Sequence, residues 1–331
     1  PMNQIICENE AILLCTKQDT GVCILRCRTS DPVVILPETI HDLPVVALGD
    51  YLCAEREPDV SKYDVFEVRL TTGERISSVP AHNARAIERV VIPSSVHTIG
   101  SYAFYNCYSL RALTVHSGVR AVGHGALMNC TAFQTIDLYA EEGEKTCLSD
   151  LLDQTSGEIA VDLHQKYAEA RLIFPPFNEE LEDLGPAHIF QRRIEGAGYA
   201  YRQCIQNGVL SFLQYDGAFE RLLRIQDYDT ACRVALLRLR WSVGLSAQAR
   251  EVYLTCLREH PTDAVRTLLD SRDVPGLSAL LSFGVLDRSG LSAACDLARQ
   301  MGQTEALALL LAALDRRAGR AAPLMQKTYD L

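Results

Sequence analysis

The feature that most constrains the fold is an internal repeat of 23 residues in the first half of the chain. The segment from Ile87 to Cys107 aligns without gaps to the segment from Leu110 to Cys130. Eight positions match at this single offset, and a third copy begins at Phe133 and soon stops. One such unit cannot bury its apolar side alone, so units of this length stack into a solenoid with a continuous core.

Alternation within each unit predicts which side chains face that core. Val90 and Ile92 are expected to point inward from a short strand, and Val96 and Ile99 mark a second extended stretch before a glycine turn. A short helical or irregular return then begins near Phe104. Each unit is therefore predicted to form one coil of the solenoid.

The same alternation predicts a surface. With Val90, Leu113 and Ile136 inside, their strand neighbours should stack in two exposed rows, about 4.8 Å apart from coil to coil. These rows mix small, hydroxyl and charged groups, and they are either a partner-binding surface or simply solvated. The predicted partner-binding residues are Arg89, Ala112 and Thr135 in one row and Val91, Thr114 and Asp137 in the other.

The repeat carries a family resemblance. The pattern Val-Ile-Pro-x-x-Val-x-x-Ile-Gly-x-x-Ala-Phe-x-x-Cys-x-x-Leu, from Val91 to Leu110, resembles the BspA-type leucine-rich repeat. An earlier copy, from Val34 to Tyr51, is similar to the entry repeat of that family but is followed by Leu52-Cys53 where Ala-Phe is expected. The resemblance covers residues 30 to 140 approximately and implies adhesion or protein binding without a shared chemistry.

Solenoids need covered ends. The stretches Ala11 to Cys15 and Gly21 to Leu25 predict a β-hairpin that closes the first end. The alternating segment Tyr63 to Leu70, within an insertion before the first full repeat, predicts a further strand. The last repeat ends at Leu138 without a polar cap, so the helical second half is predicted to supply the cap.

From about Pro186 the apolar pattern changes to the helical period of 3.6 residues. Asp229 and Ser246 are predicted N-caps, and glycines are predicted to follow three of the helices. The stretch from Gly290 to Leu311 resembles a degenerate ankyrin unit, although its first helix is long and the Thr-Pro-Leu-His signature is missing. The predicted helices are 187–206, 210–224, 229–243, 247–259, 263–269, 275–282, 291–301 and 305–317.

The predicted fold class is therefore α+β. A leucine-rich-repeat domain with its hairpin cap occupies residues 1–140, and an all-α helical array occupies residues 186–331. Between them, residues 141–185 form a predicted acidic junction with two helices. The segment from Glu141 to Asp183 holds twelve acidic and three basic residues, so it carries most of the net charge of −10. Such a region repels phosphate, and nucleic acid is not an expected partner.

Location and membrane association follow from composition. No run of 18 apolar residues exists, so no membrane span is expected. The first residues, Pro1 to Cys7, lack the basic start and apolar stretch of a secretory signal. The twelve cysteines lie on apolar stripes, as reduced thiols do in cytosolic proteins. These features predict a cytoplasmic protein without structural disulfides.

A search for catalytic motifs favours a binding protein. No phosphate loop, Gly-x-Ser-x-Gly, His-Glu-x-x-His or Cys-x-x-Cys motif occurs. Buried packing is favoured over zinc binding for Cys7, Cys15, Cys23 and Cys27, whose spacing does not match a zinc knuckle. We therefore expect a non-enzymatic interaction scaffold with a protein partner and no metal or cofactor.

Two pairs of repeat residues sharpen this expectation. Cys107 and Cys130 occupy the same repeat position, where packing is favoured over catalysis. Asn106 and Asn129 are predicted to form a ladder of bonds to the backbone. His97, His116 and His124 lie in the repeats but not at matched positions, and no cysteine or serine nucleophile is evidently paired with them. A cysteine/histidine-dependent hydrolase is the alternative function.

Overall fold

A computed structural model describes residues 4–6, 9–72, 82, 84–183 and 190–321 of the chain. These residues form two compact units, Pro1–Ala218 and Phe219–Leu331. The elements of the first unit are β1 (Gln4–Ile6), β2 (Ala11–Gln18), β3 (Gly21–Arg28), β4 (Val33–Ile35), β5 (Thr39–Ile40), β6 (Leu43–Leu48), β7 (Val65–Thr71), a 3₁₀ turn (Ala84–Ala86), β8 (Arg89–Val91), β9 (Thr98–Ile99), β10 (Ala112–His116), β11 (Ala121–Val122), β12 (Thr135–Tyr139), α1 (Leu148–Leu152), β13 (Ile159–His164), β14 (Glu169–Phe174), β15 (Phe177–Asp183), β16 (Phe190–Gly196), α2 (Gly198–Arg202), β17 (Ile205–Gln206) and β18 (Val209–Leu210). Helix α3 (Phe212–Arg224) crosses the boundary, and the second unit holds α4 (Tyr228–Arg240), α5 (Ala247–Glu259), α6 (Pro261–Asp270), α7 (Val274–Ser282), α8 (Arg288–Gln300) and α9 (Thr304–Ala321).

The repeats form the predicted solenoid coils. Strands β8, β10 and β12 pair in parallel, and the register places Val90 beside Leu113 and Leu113 beside Ile136. All three side chains are fully buried. The second extended stretches pair in the same way in another sheet, where Ile99 of β9 lies opposite Val122 of β11. The predicted coil and its inward positions are confirmed.

The earlier copy and the first end of the solenoid also match the prediction. Strand β4 pairs in parallel with β8, and β6 pairs in parallel with β9, so the segment from Val34 to Tyr51 contributes one coil. Strands β2 and β3 form the predicted antiparallel hairpin. Strand β7 of the insertion pairs with β2 and extends the same sheet. Residues 73–81 and 83 of that insertion lie outside the described residues.

The last end of the solenoid is covered differently from the prediction. Strand β13 continues the sheet in parallel with β12, and β14 returns antiparallel beside β13. The inner positions Ile136 and Leu138 thus lie beside Val161 and Leu163, all of them buried. The strands beside the last repeat come from residues 159–174 of the predicted junction, so the prediction that the helical half covers its inner positions is wrong. From the helical half, Tyr215 of α3 bonds to the outer edge of the sheet at β14. The prediction of two helices in the junction is also wrong, because this segment forms α1 and three strands.

Strands β14, β13, β12, β10, β8 and β4 form one six-stranded sheet, with β14 and β4 at its edges. At both edges, side chains form hydrogen bonds with the backbone groups of the edge strand. At the β14 edge, the buried Tyr215 hydroxyl accepts the N–H of Ile173 at 2.9 Å and donates to its carbonyl at 2.7 Å. At the β4 edge, the amide oxygen of buried Asn9 accepts the N–H of Ile35 at 3.1 Å. Unpaired strand edges invite pairing with other chains, and these bonds close both edges at those residues.

Tyr215→Phe should therefore lower the free energy of unfolding by about 1–3 kcal/mol, because it leaves a buried N–H and a buried carbonyl without their partner. Tyr167→Phe is the matched control, since that side chain is 87% exposed, and it should have no measurable effect. Urea denaturation of both variants is the measurement. Equal stability of Tyr215→Phe and the parent protein would contradict this role.

The repeated asparagines correct one prediction. Asn106 and Asn129 both adopt left-handed backbone conformations, with φ of 62° and 64°. The Asn129 side-chain N–H donates to the Asn106 side-chain oxygen at 2.8 Å. The ladder is thus formed between side chains rather than to the backbone. Asparagine adopts the left-handed conformation of this turn more readily than most other residues do.

The repeated cysteines are packed as predicted. The Cys107 thiol donates to the Cys53 carbonyl at 3.4 Å, and the Cys130 thiol donates to the Phe104 carbonyl at 3.1 Å. Burial raises the pKa of Cys130 to about 12 and that of Cys107 further. Thiolates are the reactive form of cysteine, so these two thiols are poorly suited to nucleophilic chemistry.

Thiol titration tests the cysteine assignment. Eleven cysteines are buried and free among the described residues, and Cys7 lies outside them. We expect these eleven to react slowly with a thiol reagent at pH 8 in the folded protein and all twelve cysteines to react in denaturant without reductant. Fewer than ten reactive groups after denaturation would contradict the prediction of reduced cysteines.

The second unit is an array of helices. Helix α6 packs against α4 and α8, and α7 packs against α9. Gly284 and Gly302 have positive φ just past the ends of α7 and α8, as predicted. Gly244 also has positive φ, but α4 ends earlier than predicted, at Arg240. Ser246 is the N-cap of α5 as predicted, whereas α4 is capped by Asp227 rather than Asp229. No helix among the described residues combines the length and hydrophobicity needed to cross a membrane.

The predicted helix from Ala187 to Gln206 is wrong. Its described part forms β16, α2 and β17. Strand β16 pairs with β15, and the Arg192 guanidinium donates to both carboxylate oxygens of Glu179 at 2.6 and 2.8 Å. Pairing with the preceding acidic strand outweighs the local helical pattern, because strand preference depends strongly on the context in which a segment packs.

Candidate interaction surface

The outward face of the six-stranded sheet holds the predicted surface. The sheet order is β14-β13-β12-β10-β8-β4, and register places Arg89 beside Ala112 and Ala112 beside Thr135. The second predicted row has the same register, from Val91 through Thr114 to Asp137. The structure thus brings all six predicted residues together in two rows.

The predicted exposure of these rows is wrong at two positions. Ala112 is only 3% exposed and Thr114 only 8%, whereas Arg89, Val91, Thr135 and Asp137 are half-buried. An ion pair crosses above β10, the strand that carries Ala112 and Thr114. Arg89 on β8 pairs with Asp137 on β12 at 2.5 Å, and β10 lies between these two strands. The Thr114 hydroxyl donates to the same carboxylate oxygen at 3.2 Å. The surface is a connected polar network rather than separate solvated groups.

The network continues toward the β14 edge. Asp162 follows Asp137 in the second row, and it pairs with Arg171 of β14 at 3.1 Å. Burial raises the pKa of Asp162, and the Arg171 charge opposes that shift. Each aspartate of the row thus has an arginine partner, which leaves the row nearly neutral.

A third row, which sequence reasoning missed as a surface, is aromatic. His116, Tyr139 and His164 come from three neighbouring strands, and their rings stack with centroids 4.9 and 4.6 Å apart. Burial lowers the pKa of His116. The 23-residue offset between His116 and Tyr139 was a signal in the sequence. His164 follows after 25 residues, on a strand that the repeat pattern did not include.

An open groove of about 580 Å³ adjoins this aromatic row. Tyr139 and His164 line one part of it. The charged residues of its lining are three glutamates and one lysine: Glu141, Glu144, Glu169 and Lys166. The Glu144 carboxylate accepts the N–H of Glu141 at 2.9 Å, and the Glu141 carboxylate accepts the N–H of Lys166 at 2.9 Å. The bonds to Glu144 from the Glu141 N–H and from Ser117 lower the pKa of Glu144.

The described residues offer no arrangement that supports the hydrolase alternative. The thiols of Cys107 and Cys130 donate to backbone carbonyls rather than to a histidine. Within the described part of the chain, no three histidine, cysteine or acidic side chains are grouped as metal ligands would be. Cys7, one of four cysteines weighed for zinc, lies outside the described residues.

Stacked coils, an inward apolar ladder and an outward face of polar rows define a leucine-rich-repeat solenoid in the first unit. Residues 75–149 match the family model described as BspA type Leucine rich repeat region (6 copies). This part of the chain is therefore similar to BspA-type leucine-rich repeats. The match ends before the helical array, whose ankyrin-like character stays a prediction.

Solved structures with similarity to the chain are also leucine-rich-repeat proteins. A leucine rich cell surface protein from Faecalibacterium prausnitzii A2-165 is 21% identical, with a TM-score of 0.25, over 40% of this chain and 35% of that one. A leucine-rich repeat protein from Bacteroides ovatus ATCC 8483 is 18% identical, with a TM-score of 0.26, over 43% and 36%. The leucine rich repeat protein of T. pallidum is 18% identical, with a TM-score of 0.20, over 38% and 68%.

The chain spans about a third of the length of the first two of these structures. A search of the curated proteins found no match.

Proposed function

We propose that this protein is a non-enzymatic scaffold that binds a protein partner through the outward face of the six-stranded sheet. Leucine-rich-repeat proteins are generally protein-interaction scaffolds, because stacked coils present side chains at a fixed spacing over an extended surface. The observation that carries the proposal is the continuous series of polar and aromatic rows from Arg89 to His164 on that face.

The same proposal includes a location and a second surface. Cysteines on apolar stripes support a cytoplasmic protein, in which thiols stay reduced. The helical array supports a role as an adaptor, since stacked helix pairs of the predicted ankyrin-like kind also bind proteins. The acidic charge of the chain disfavours nucleic acid as the partner.

The test compares the parent protein with a variant of the sheet face. Arg89→Ala, Thr114→Ala and Asp137→Ala together remove the polar network without leaving an unpaired charge. Its melting temperature should change by no more than a few degrees, because Arg89 and Asp137 are partly exposed and Thr114, although buried, loses its hydroxyl together with the Asp137 carboxylate that accepts its hydrogen bond. Both proteins serve as bait in a pull-down from cells of the source organism, and mass spectrometry identifies proteins lost with the triple variant.

The partner is then purified, and its Kd is measured with each bait. We expect the Kd of the triple variant to be at least tenfold higher, as when residues that contribute much of the binding energy are removed. The matched control replaces another exposed ion pair, Arg192→Gln with Glu179→Gln, and should bind as the parent protein does. Full affinity of the triple variant would move the binding surface to the helical array.

A further inference from the structure

We infer that the groove beside the aromatic row binds an arginine- or lysine-bearing extended segment of a partner protein. This inference deepens the proposed function and rests on it, because it names the chemistry of a partner at one end of the same sheet face. The occupant is identified by charge complementarity between the groove and a basic side chain.

The first step concerns charge. Three carboxylates and one ammonium group line the groove, so its formal charge is −2 with the histidines neutral. The ammonium of that lysine, Lys166, lies over the ring of Tyr167 at 5.0 Å from the centroid. On the rest of the face, Asp137 and Asp162 are each paired with an arginine. The lining of the groove is therefore negatively charged overall, and Arg120, outside that lining, also acts on the Glu144 carboxylate.

The second step concerns orientation. Hydrogen bonds from backbone N–H groups hold the carboxylates of Glu141 and Glu144 in place. The Glu144 carboxylate accepts the N–H of Glu141, and the Glu141 carboxylate accepts the N–H of Lys166. An ionised carboxylate has about four acceptor positions, so each retains capacity for a further donor. Side chains that are already ordered lose little entropy on binding, which favours a charged hydrogen bond to an incoming guanidinium or ammonium group.

The third step concerns the wall of the groove. The rings of His116, Tyr139 and His164 stack face to face, so Tyr139 presents its ring edge and hydroxyl rather than its ring faces. This row runs across neighbouring parallel strands at their usual spacing, about 4.8 Å. The ridge gives the stem of a long basic side chain an apolar surface to lie against, with its charged end toward the carboxylates.

The probe is a fluorescein-labelled peptide, Gly-Arg-Gly-Arg-Gly-Arg-Gly, and its control replaces each arginine by neutral citrulline. Fluorescence anisotropy is measured with the full chain at two salt concentrations. We expect saturable binding of the arginine peptide, which weakens as salt screens the charges, and none of the citrulline peptide. Glu141→Gln with Glu144→Gln should weaken binding by about threefold to tenfold, as for two exposed charge pairs.

Two further variants keep the test decisive. Glu179→Gln with Glu180→Gln makes the same change of charge on exposed residues of β15, and it should leave binding unchanged. Glu169→Gln changes an exposed groove residue and leaves the backbone hydrogen bonds of Glu141 and Glu144 in place; it should weaken binding twofold or more. Equal weakening by the β15 variant, or no saturable binding by the parent protein, would overturn the inference.

The result is separable from that of the proposed function. If the Arg89, Thr114 and Asp137 variant loses a natural partner while the groove variants bind the peptide normally, the scaffold proposal stands and the inference fails. If the groove variants lose the peptide while the triple variant keeps every partner, the groove is a basic-peptide site and the proposed binding through Arg89, Thr114 and Asp137 fails.

Discussion

Arg202→Met should lower the free energy of unfolding by about 4 kcal/mol or more. Arg202 is only 6% exposed, and its guanidinium donates to five backbone carbonyls at 3.0–3.3 Å. Three of those carbonyls belong to buried residues, Leu152, Pro175 and Gly198. Methionine fills part of the space but donates nothing, so these carbonyls would stay buried without their partner.

Burial lowers the pKa of Arg202 to about 10, while the nearby Asp153 opposes that shift. The guanidinium also lies over the Phe177 ring, 4.7 Å from its centroid. Arg224→Met is the control, since that arginine is exposed and pairs with Glu220 four residues earlier on α3. The control should differ from the parent protein by no more than about 0.5 kcal/mol in urea denaturation. Similar stability of both variants would show that Arg202 does not hold this region together.

Phe104→Ala should lower the free energy of unfolding by about 3–5 kcal/mol, because it leaves a cavity in a closely packed core. Phe104 is fully buried, and it occupies the same repeat position as the buried Leu127 in the next coil. Its backbone also joins the coils, since its N–H donates to the Ala126 carbonyl at 2.9 Å and its carbonyl accepts the Cys130 thiol. Loss of the ring should therefore weaken the packing of two neighbouring coils.

Met128→Ala is the matched control within the same repeats. Met128 is exposed, so its truncation should cost less than about 1 kcal/mol. Thermal and urea unfolding of the two variants are compared under the same conditions. If Phe104→Ala lowers the free energy of unfolding by less than about 1 kcal/mol, the neighbouring side chains fill the cavity. That result would contradict tight packing between the coils.

Much of the solenoid could be predicted from the sequence because the repeat encodes both period and alternation. The offset of 23 residues alone predicts that Val90, Leu113 and Ile136 form one buried row, as the structure shows. The same reasoning placed Arg89 and Asp137 on the outward face. It could not predict that their side chains meet across β10 and cover Thr114, because side-chain reach depends on geometry between coils rather than on spacing along the chain.

The end of the solenoid could not be predicted in the same way. Strands β13 and β14 lack the repeat motif, and their acidic residues suggested a solvated junction. The helical pattern from Ala187 to Gln206 was similarly misleading, since the Arg192 side chain pairs with Glu179 of another strand. Local patterns describe what a segment prefers alone, and neighbouring segments alter that preference.

The sequence by itself determined the repeated coil, its inward apolar positions, the hairpin at its start and most helices of the second unit. Each of these depends on periodicity or on a local turn residue, such as Gly302 or Ser246 at helix ends. Only the tertiary structure decided the cover at the end of the sheet, the five carbonyls around Arg202 and the groove beside Tyr139. The physical reason is that these features form where segments distant in sequence meet, and their bonds have no periodic pattern along the chain.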